Sequence, residues 1–163
     1  MDTPRRNCWR YWGKMNKSQP TKNDSSIKEI YPFSPDIALQ RPLFLSGVSA
    51  GFPSPAEEEL IDTLSLDEYL VDKPEASFLL KVTGDSMIEA GIHEGDLVII
   101  ERGGQARSGD IVLACVDGEW TLKYYHKASG GVELVPANPK YPVIRPEKEL
   151  TLGGIVRAVM RRY

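Results

Sequence analysis

A chain of 163 residues has room for one compact domain and a tail, and its 41% hydrophobic and 26% charged residues are ordinary for a globular protein. No stretch approaches the ~20 apolar residues of a membrane span. No apolar segment follows Arg5-Arg6, so neither an ordinary nor a twin-arginine export signal is expected, and a cytoplasmic location is. Residues 1–50 carry eight Lys/Arg against four acids, a net +4, while the remainder carries 12 against 19, a net −7. An acidic body is a poor match for a phosphate backbone, so it is expected to bind protein and to have no strong direct affinity for DNA.

Residues 1–42 read as a tail. They hold Pro4, Pro20, Pro32, Pro35 and Pro42, a polar run from Asn16 to Ser26, and no helical apolar period. Such a segment buries too little side-chain area to offset the entropy of ordering it. Met15 is a second possible start, which would make residues 1–14 an upstream extension. Residues 43–55 mix apolar and small residues and end in two prolines, which predicts an extended, accessible segment. Over residues 56–71, Leu60, Ile61, Leu64, Leu66, Tyr69 and Leu70 recur near helical spacing behind the acidic run Glu57-Glu58-Glu59, and a short helix is expected there.

From residue 77 onward the pattern is β. Short apolar runs at Phe78–Val82, Leu97–Ile100, Ile111–Val116, Trp120–Tyr125, Val132–Val135 and Leu152–Met160 alternate with Gly/Asp turn signals. Asp117-Gly118 between two such runs predicts a tight hairpin. Many short strands so punctuated indicate a compact, mainly antiparallel β domain. Cys115 sits in an apolar run and reads as a small core residue; Cys8 lies in the tail. Neither the number nor the spacing of the cysteines suggests a metal site or a disulfide framework, and no cofactor is implied.

Two residues could carry chemistry. Ser86 follows the turn Gly84-Asp85 at the end of a predicted strand, where backbone N–H groups left unpaired could serve an oxyanion. The plainer reading is that Asp85 or Ser86 caps a short helix over Met87–Ala90. Lys123 stands on a predicted strand, on the face of Thr121 and Tyr125, amid bulky neighbours; the plainer reading is a solvated residue on an edge strand. Together they make sense as nucleophile and base. A serine hydroxyl needs a base during attack. A lysine with an unperturbed pKa near 10.4 is neutral about 0.04% of the time at pH 7, and apolar burial raises that fraction. Ser–Lys pairs are a known variant of triad logic. The rival bases are His93, in a polar turn, and His126, at a strand end, and neither has an obvious carboxylate orienter in the sequence.

Three separated motifs add a resemblance. Gly84-Asp85-Ser86-Met87 with Ile92-His93-Glu94-Gly95-Asp96-Leu97-Val98, then Gly109-Asp110-Ile111-Val112, then Glu119-Trp120-Thr121-Leu122-Lys123 resemble the catalytic domain of the LexA/UmuD family of self-cleaving serine proteases. Ala50-Gly51-Phe52-Pro53-Ser54-Pro55-Ala56, 35 residues before Ser86, resembles the family's cleavage segment, and the likeness covers about residues 43–162. Only 50 proline-broken residues precede the cleavage segment, too few and too irregular for the helix-turn-helix domain of LexA-type repressors, so the UmuD branch is the nearer. Ala50 before the scissile bond is nevertheless LexA-like, where the best-known member of the UmuD branch has cysteine.

The resemblance implies a mainly β, LexA-type protease domain with one short helix over residues 51–163. A flexible arm, residues 1–50, is removed by self-cleavage of Ala50–Gly51. Ser86 would be nucleophile, Lys123 general base, and the backbone N–H of Ser86 or Met87 the oxyanion donor. It further implies a homodimer, stimulation by a RecA–single-stranded-DNA filament, and a cleaved product that serves a translesion (Y-family) DNA polymerase in the SOS response. The alternatives are a repressor-like regulator without its DNA-binding part, a signal peptidase lacking an anchor, and a non-catalytic interaction module in which Ser86 and Lys123 are structural.

Overall fold

A computed structural model describes residues 30–32, 40–44, 61–147 and 149–163 of the chain. The proposed scissile bond Ala50–Gly51, Cys8 and Met15 lie outside these residues. The fold is mainly β, as the turn-punctuated apolar runs predict. The chain divides into two units, Ser34–Asp72 and the remainder, Met1–Phe33 with Lys73–Tyr163.

In the smaller unit β2 (Gln40–Phe44) pairs antiparallel with β3 (Ile61–Ser65), and α1 (Leu66–Leu70) follows at once. The short helix expected over 56–71 is present at Leu66–Leu70, while residues 61–65 of that stretch are strand. Ile61 and Thr63 are β-branched and stiff at χ1, which favours a pleated strand with a partner. Ser65 marks the switch, its hydroxyl accepting the Glu68 N–H at 3.4 Å as an N-cap.

The larger unit is built on a seven-stranded antiparallel sheet in the order β1-β4-β5-β9-β6-β7-β8. Its strands are β1 (Ile30–Pro32), β4 (Ser77–Lys81), β5 (Leu97–Glu101), β6 (Ile111–Val116), β7 (Glu119–Ala128), β8 (Gly131–Val135) and β9 (Leu150–Met160). All six runs read as strands from the sequence are strands here. Between β6 and β7, Asp117 (φ +50°) and Gly118 (φ +92°) form the two-residue turn. Positive φ at both central positions is what such a hairpin needs to match strand twist. Within the region read as a tail, residues 30–32 and 40–44 form β1 and β2. No described helix is long and apolar enough to cross a membrane.

Strand β9 joins the two halves of the sheet. Its first half pairs with β6 and its second half with β5, with a register shift on each side. Such bulges bend a strand and increase its twist. Alternation along β6 sends Leu113 and Cys115 into one apolar cluster, with Phe78, Leu80, Val98, Ile100, Trp120 and Leu122, and Val112 and Ala114 into another, with Tyr125, Leu134 and Ile155. Cys115 is a core residue as expected, but it is disulfide-bonded, which its sequence context had not suggested. Two buried carboxylates tie the sheet ends. Glu101 accepts from Arg157 and Lys73, and Asp96 takes a two-pronged contact from Arg161.

Gly154 occupies the bulge beside β6 at φ +153°, and a Cβ there would lie 2.5 Å from the Glu101 carbonyl oxygen and 2.6 Å from Ile100 Cγ2. Both are packed interior atoms, so Gly154→Ala forces backbone to move. The substitution is expected to destabilise the protein by about 2–3 kcal/mol. Denaturant titration checks this; a midpoint equal to wild type would show that β9 and β5 separate freely at this point.

Candidate active site

Strand β4 ends at Lys81, and the chain turns through Gly84 at φ +80° to present Ser86. A 3-10 turn, Ile88–Ala90, follows. The plainer reading of Ser86 is not what is found: the turn has no side-chain cap, and the Ile88 N–H donates to the Asp85 backbone carbonyl at 3.2 Å. The Ser86 hydroxyl is thus not spent on capping. Lys123 arrives from β7. Strand alternation puts it on the face of Thr121 and Tyr125, and it is 4% exposed, so the solvated edge-strand reading fails as well.

The two side chains meet. Lys123 Nζ lies 2.8 Å from Ser86 Oγ, 2.7 Å from Thr121 Oγ1 and 2.9 Å from the Leu122 carbonyl oxygen. An ammonium donates three hydrogen bonds and has three acceptors here. A neutral amine keeps two donors and one lone pair. The Leu122 carbonyl can only accept, whereas the Ser86 hydroxyl can donate to that lone pair. The same three partners therefore suit both protonation states, and only the hydroxyl protons need to reorient. Among the described residues, no carboxylate pairs with Lys123. Burial without a counter-charge disfavours the ammonium, and the pKa falls from 10.5 to about 8. A group with that pKa is neutral in roughly a tenth of molecules at pH 7.

The pair lies in a cleft of about 580 Å³ whose lining includes Leu80, Val82, Leu113, Trp120, Leu122 and Ile144. Lys81, Asp85, Asp117 and Glu119 line it as well, so apolar surface in the cleft is bordered by charged side chains. Neither histidine lines the cleft. The His93 backbone N–H donates to Asp96 Oδ2, and His126 is exposed beside Tyr124. Among the described residues, neither the Ser86 nor the Met87 N–H donates to a backbone carbonyl.

Sequence reasoning missed a second set of residues. Asn138, 5% exposed, donates from Nδ2 to the Asp85 carbonyl oxygen at 2.9 Å and to Asp85 Oδ2 at 3.2 Å. The Tyr141 hydroxyl donates a short hydrogen bond to Asp85 Oδ1. That bond holds the Asp85 carboxyl below the usual carboxylate range and pushes the Tyr141 phenol up. Thr121 was placed on the right face but not recognised as a partner of Lys123; its position two residues before Lys123 on a strand is the signal that could have found it.

The sign of the Lys123 shift has a consequence for stability. Between about pH 8 and 10.5 the unfolded chain holds a proton that the folded chain has released, so folding becomes more favourable as pH rises through that window. Below about pH 8 the buried cation costs stability in full. Wild type is expected to gain stability relative to Lys123→Met from pH 8 to 10.5, read from paired urea titrations. A constant difference would mean that Lys123 is not desolvated.

The model for Peptidase S24-like proteins matches residues 42–157. Protein SamA of Salmonella typhimurium is 38% identical over 133 residues, 82% of this chain and 94% of its own length. Protein ImpA of Escherichia coli is 37% identical over 130 residues, 79% of this chain and 89% of its own. The LexA repressor of Mycobacterium tuberculosis is 39% identical over 143 residues, 86% of this chain but only 60% of the repressor. The match to the family model spans well over half the chain and covers both residues of the buried pair as well as the strands that carry them, and it places this protein in the Peptidase S24-like family, among relatives that include SamA, ImpA and LexA.

Proposed function

We propose that the protein is a self-cleaving serine endopeptidase of the UmuD type that hydrolyses its own Ala50–Gly51 bond. The observation that carries this reading is the 2.8 Å contact between Ser86 Oγ and a buried lysine amine whose pKa lies near 8. A nucleophile within hydrogen-bond reach of a base poised near working pH is the arrangement acyl transfer requires.

Neutral Lys123 takes the Ser86 proton as Oγ attacks the Ala50 carbonyl carbon. The negative charge on the former carbonyl oxygen is met by the N–H groups of Ser86 and Met87. As the Ala50–Gly51 bond breaks, protonated Lys123 gives its proton to the departing Gly51 amine, leaving an ester between Ala50 and Ser86. Water then attacks the ester while Lys123 accepts its proton, and Ser86 is regenerated with the Ala50 carboxylate as product. Small side chains at Ser49 and Ala50 let the substrate chain approach the pair closely, and Gly51 supplies backbone freedom at the bend.

The motif resemblance supports a wider role: cleavage stimulated by a RecA–single-stranded-DNA filament, a dimer of 51–163 fragments as product, and service to a Y-family translesion polymerase in the cytoplasm. Similarity to a LexA repressor also allows a regulator of the repressor type. The chain matches SamA and ImpA over nearly their whole length but spans only 60% of LexA, which favours the first reading. A gel-shift on duplex DNA separates the two, since sequence-specific binding by this chain would favour the repressor reading.

Purified protein held at alkaline pH, or mixed with RecA, an ATP analogue and single-stranded DNA, is expected to yield fragments 1–50 and 51–163 by mass spectrometry. Ser86→Ala and Lys123→Ala should each abolish the products, and Gly51→Glu should block them in a folded protein. A new N-terminus other than Gly51 would move the substrate site, and no fragment under either condition would overturn the protease reading.

The RecA-independent rate should rise about tenfold per pH unit below a midpoint near 8 and level off above it, following neutral Lys123. A profile already flat at pH 7, or cleavage by Lys123→Arg, whose guanidinium stays protonated, would rule out lysine as the base.

A further inference from the structure

Resting on the protease reading above, we infer that Asn138 is a positioning residue of the oxyanion site: it orients, through the Asp85 carbonyl, the peptide plane whose N–H faces the reacting oxygen. The argument begins with the planarity of the peptide unit. In a trans peptide the C=O of one residue and the N–H of the next point in opposite directions within one plane. The described residues contain no cis peptide bond. The Asp85 carbonyl and the Ser86 N–H are two ends of one such plane, and the Ser86 carbonyl and the Met87 N–H are two ends of the next. Anything that holds the two carbonyls therefore aims the two N–H groups.

Both carbonyls are held, and by adjacent residues of one segment. Asn138 Nδ2 donates to the Asp85 carbonyl oxygen at 2.9 Å, and the Ala137 N–H donates to the Ser86 carbonyl oxygen at 2.9 Å. The segment is itself fixed on the other side. Ala137 returns its carbonyl to the Glu89 N–H at 2.9 Å, and Asn138 Oδ1 accepts the Lys140 N–H at 3.0 Å. Asn138 thus has partners for both ends of its amide while 5% exposed, which locks its rotamer. A hydrogen bond accepted at a carbonyl also polarises the N–H at the far end of the same peptide, strengthening it as a donor. Of the two planes, only that of Ser86 is held by a side chain; the Asp85 carbonyl also accepts the Ile88 N–H at 3.2 Å, so loss of Asn138 loosens this plane, leaving the longer of its two hydrogen bonds in place.

Asn138 also donates to the Asp85 carboxylate, while Tyr141 binds the other oxygen of that group. These contacts draw the negative carboxyl toward the 138–141 segment. An unrestrained carboxylate next to Ser86 would oppose charge building on the substrate oxygen. Both effects of Asn138 act on the stability of the tetrahedral state and neither acts on the proton affinity of Lys123, which Asn138 does not contact.

The test compares wild type with Asn138→Ala and with the uncharged, similarly shaped Asn138→Leu, as full chains, in RecA-independent cleavage from pH 6 to 11 well below each variant's unfolding temperature. The limiting rate at high pH should fall by about tenfold to a hundredfold in both, less than the 10²–10³ of losing an oxyanion donor outright. The midpoint of the pH profile should stay where wild type has it. A role in folding alone would lower the unfolding temperature and leave the limiting rate of the folded protein unchanged, which would overturn the inference. So would a moved midpoint with an unchanged limiting rate, because Asn138 would then act on the base. The leucine variant keeps the approximate shape of the side chain without adding a charge and decides the matter if the alanine variant does not fold. Wild type that produces no 51–163 fragment would instead sink the protease reading on which the inference rests.

Discussion

The chemistry of the site depends on a single electrostatic constraint: a lysine amine held in an apolar cleft with only neutral partners. An exposed ammonium beside Ser86 would be a poor base, and an ion pair with a carboxylate would make it worse by favouring the charged form. Burial at 4% exposure without a counter-charge does the opposite and brings the pKa to about 8. The cost is paid in stability below that pH, where the folded protein must bury a charge. Sites of this kind trade folding free energy for reactivity.

The sheet makes that burial possible. Ser86 follows β4 and Lys123 lies on β7, 37 residues apart, and no local turn could join them. Strand β9 does so by pairing with β5 on one side and β6 on the other. Its two bulges bend the sheet, and Gly154 lets β9 approach β5 closely at one of them. The chain returns late in the sequence to close the structure, so the site exists only once the long-range pairings have formed.

A second support sits on the Ser86 side. The Ala137–Tyr141 segment holds the Asp85–Ser86 turn by two backbone carbonyls and one carboxylate. Rigid placement matters more for an oxyanion site than for a base. A lysine side chain can adjust about several rotatable bonds, whereas a backbone N–H points where its peptide plane points.

Much of this was legible in the residues. Short apolar runs between turn signals locate the six main strands, Asp117-Gly118 locates the hairpin, and three separated motifs single out Ser86 and Lys123 and suggest the family. Short-range pattern was less informative where two periods compete: Ile61–Ser65 fits a helical spacing on paper and is a strand because β2 offers it a partner. The contacts of Asn138 left no trace, since an asparagine between prolines reads as loop and its partner lies in a turn 53 residues away. By itself, then, the sequence determined the six main strands, the candidate nucleophile and the candidate base, because those follow from local pattern and residue chemistry. Only the tertiary structure decided the 2.8 Å contact, the lowered pKa and the clamp on the turn, because distance, desolvation and hydrogen-bond partnership belong to residues brought together from distant parts of the chain.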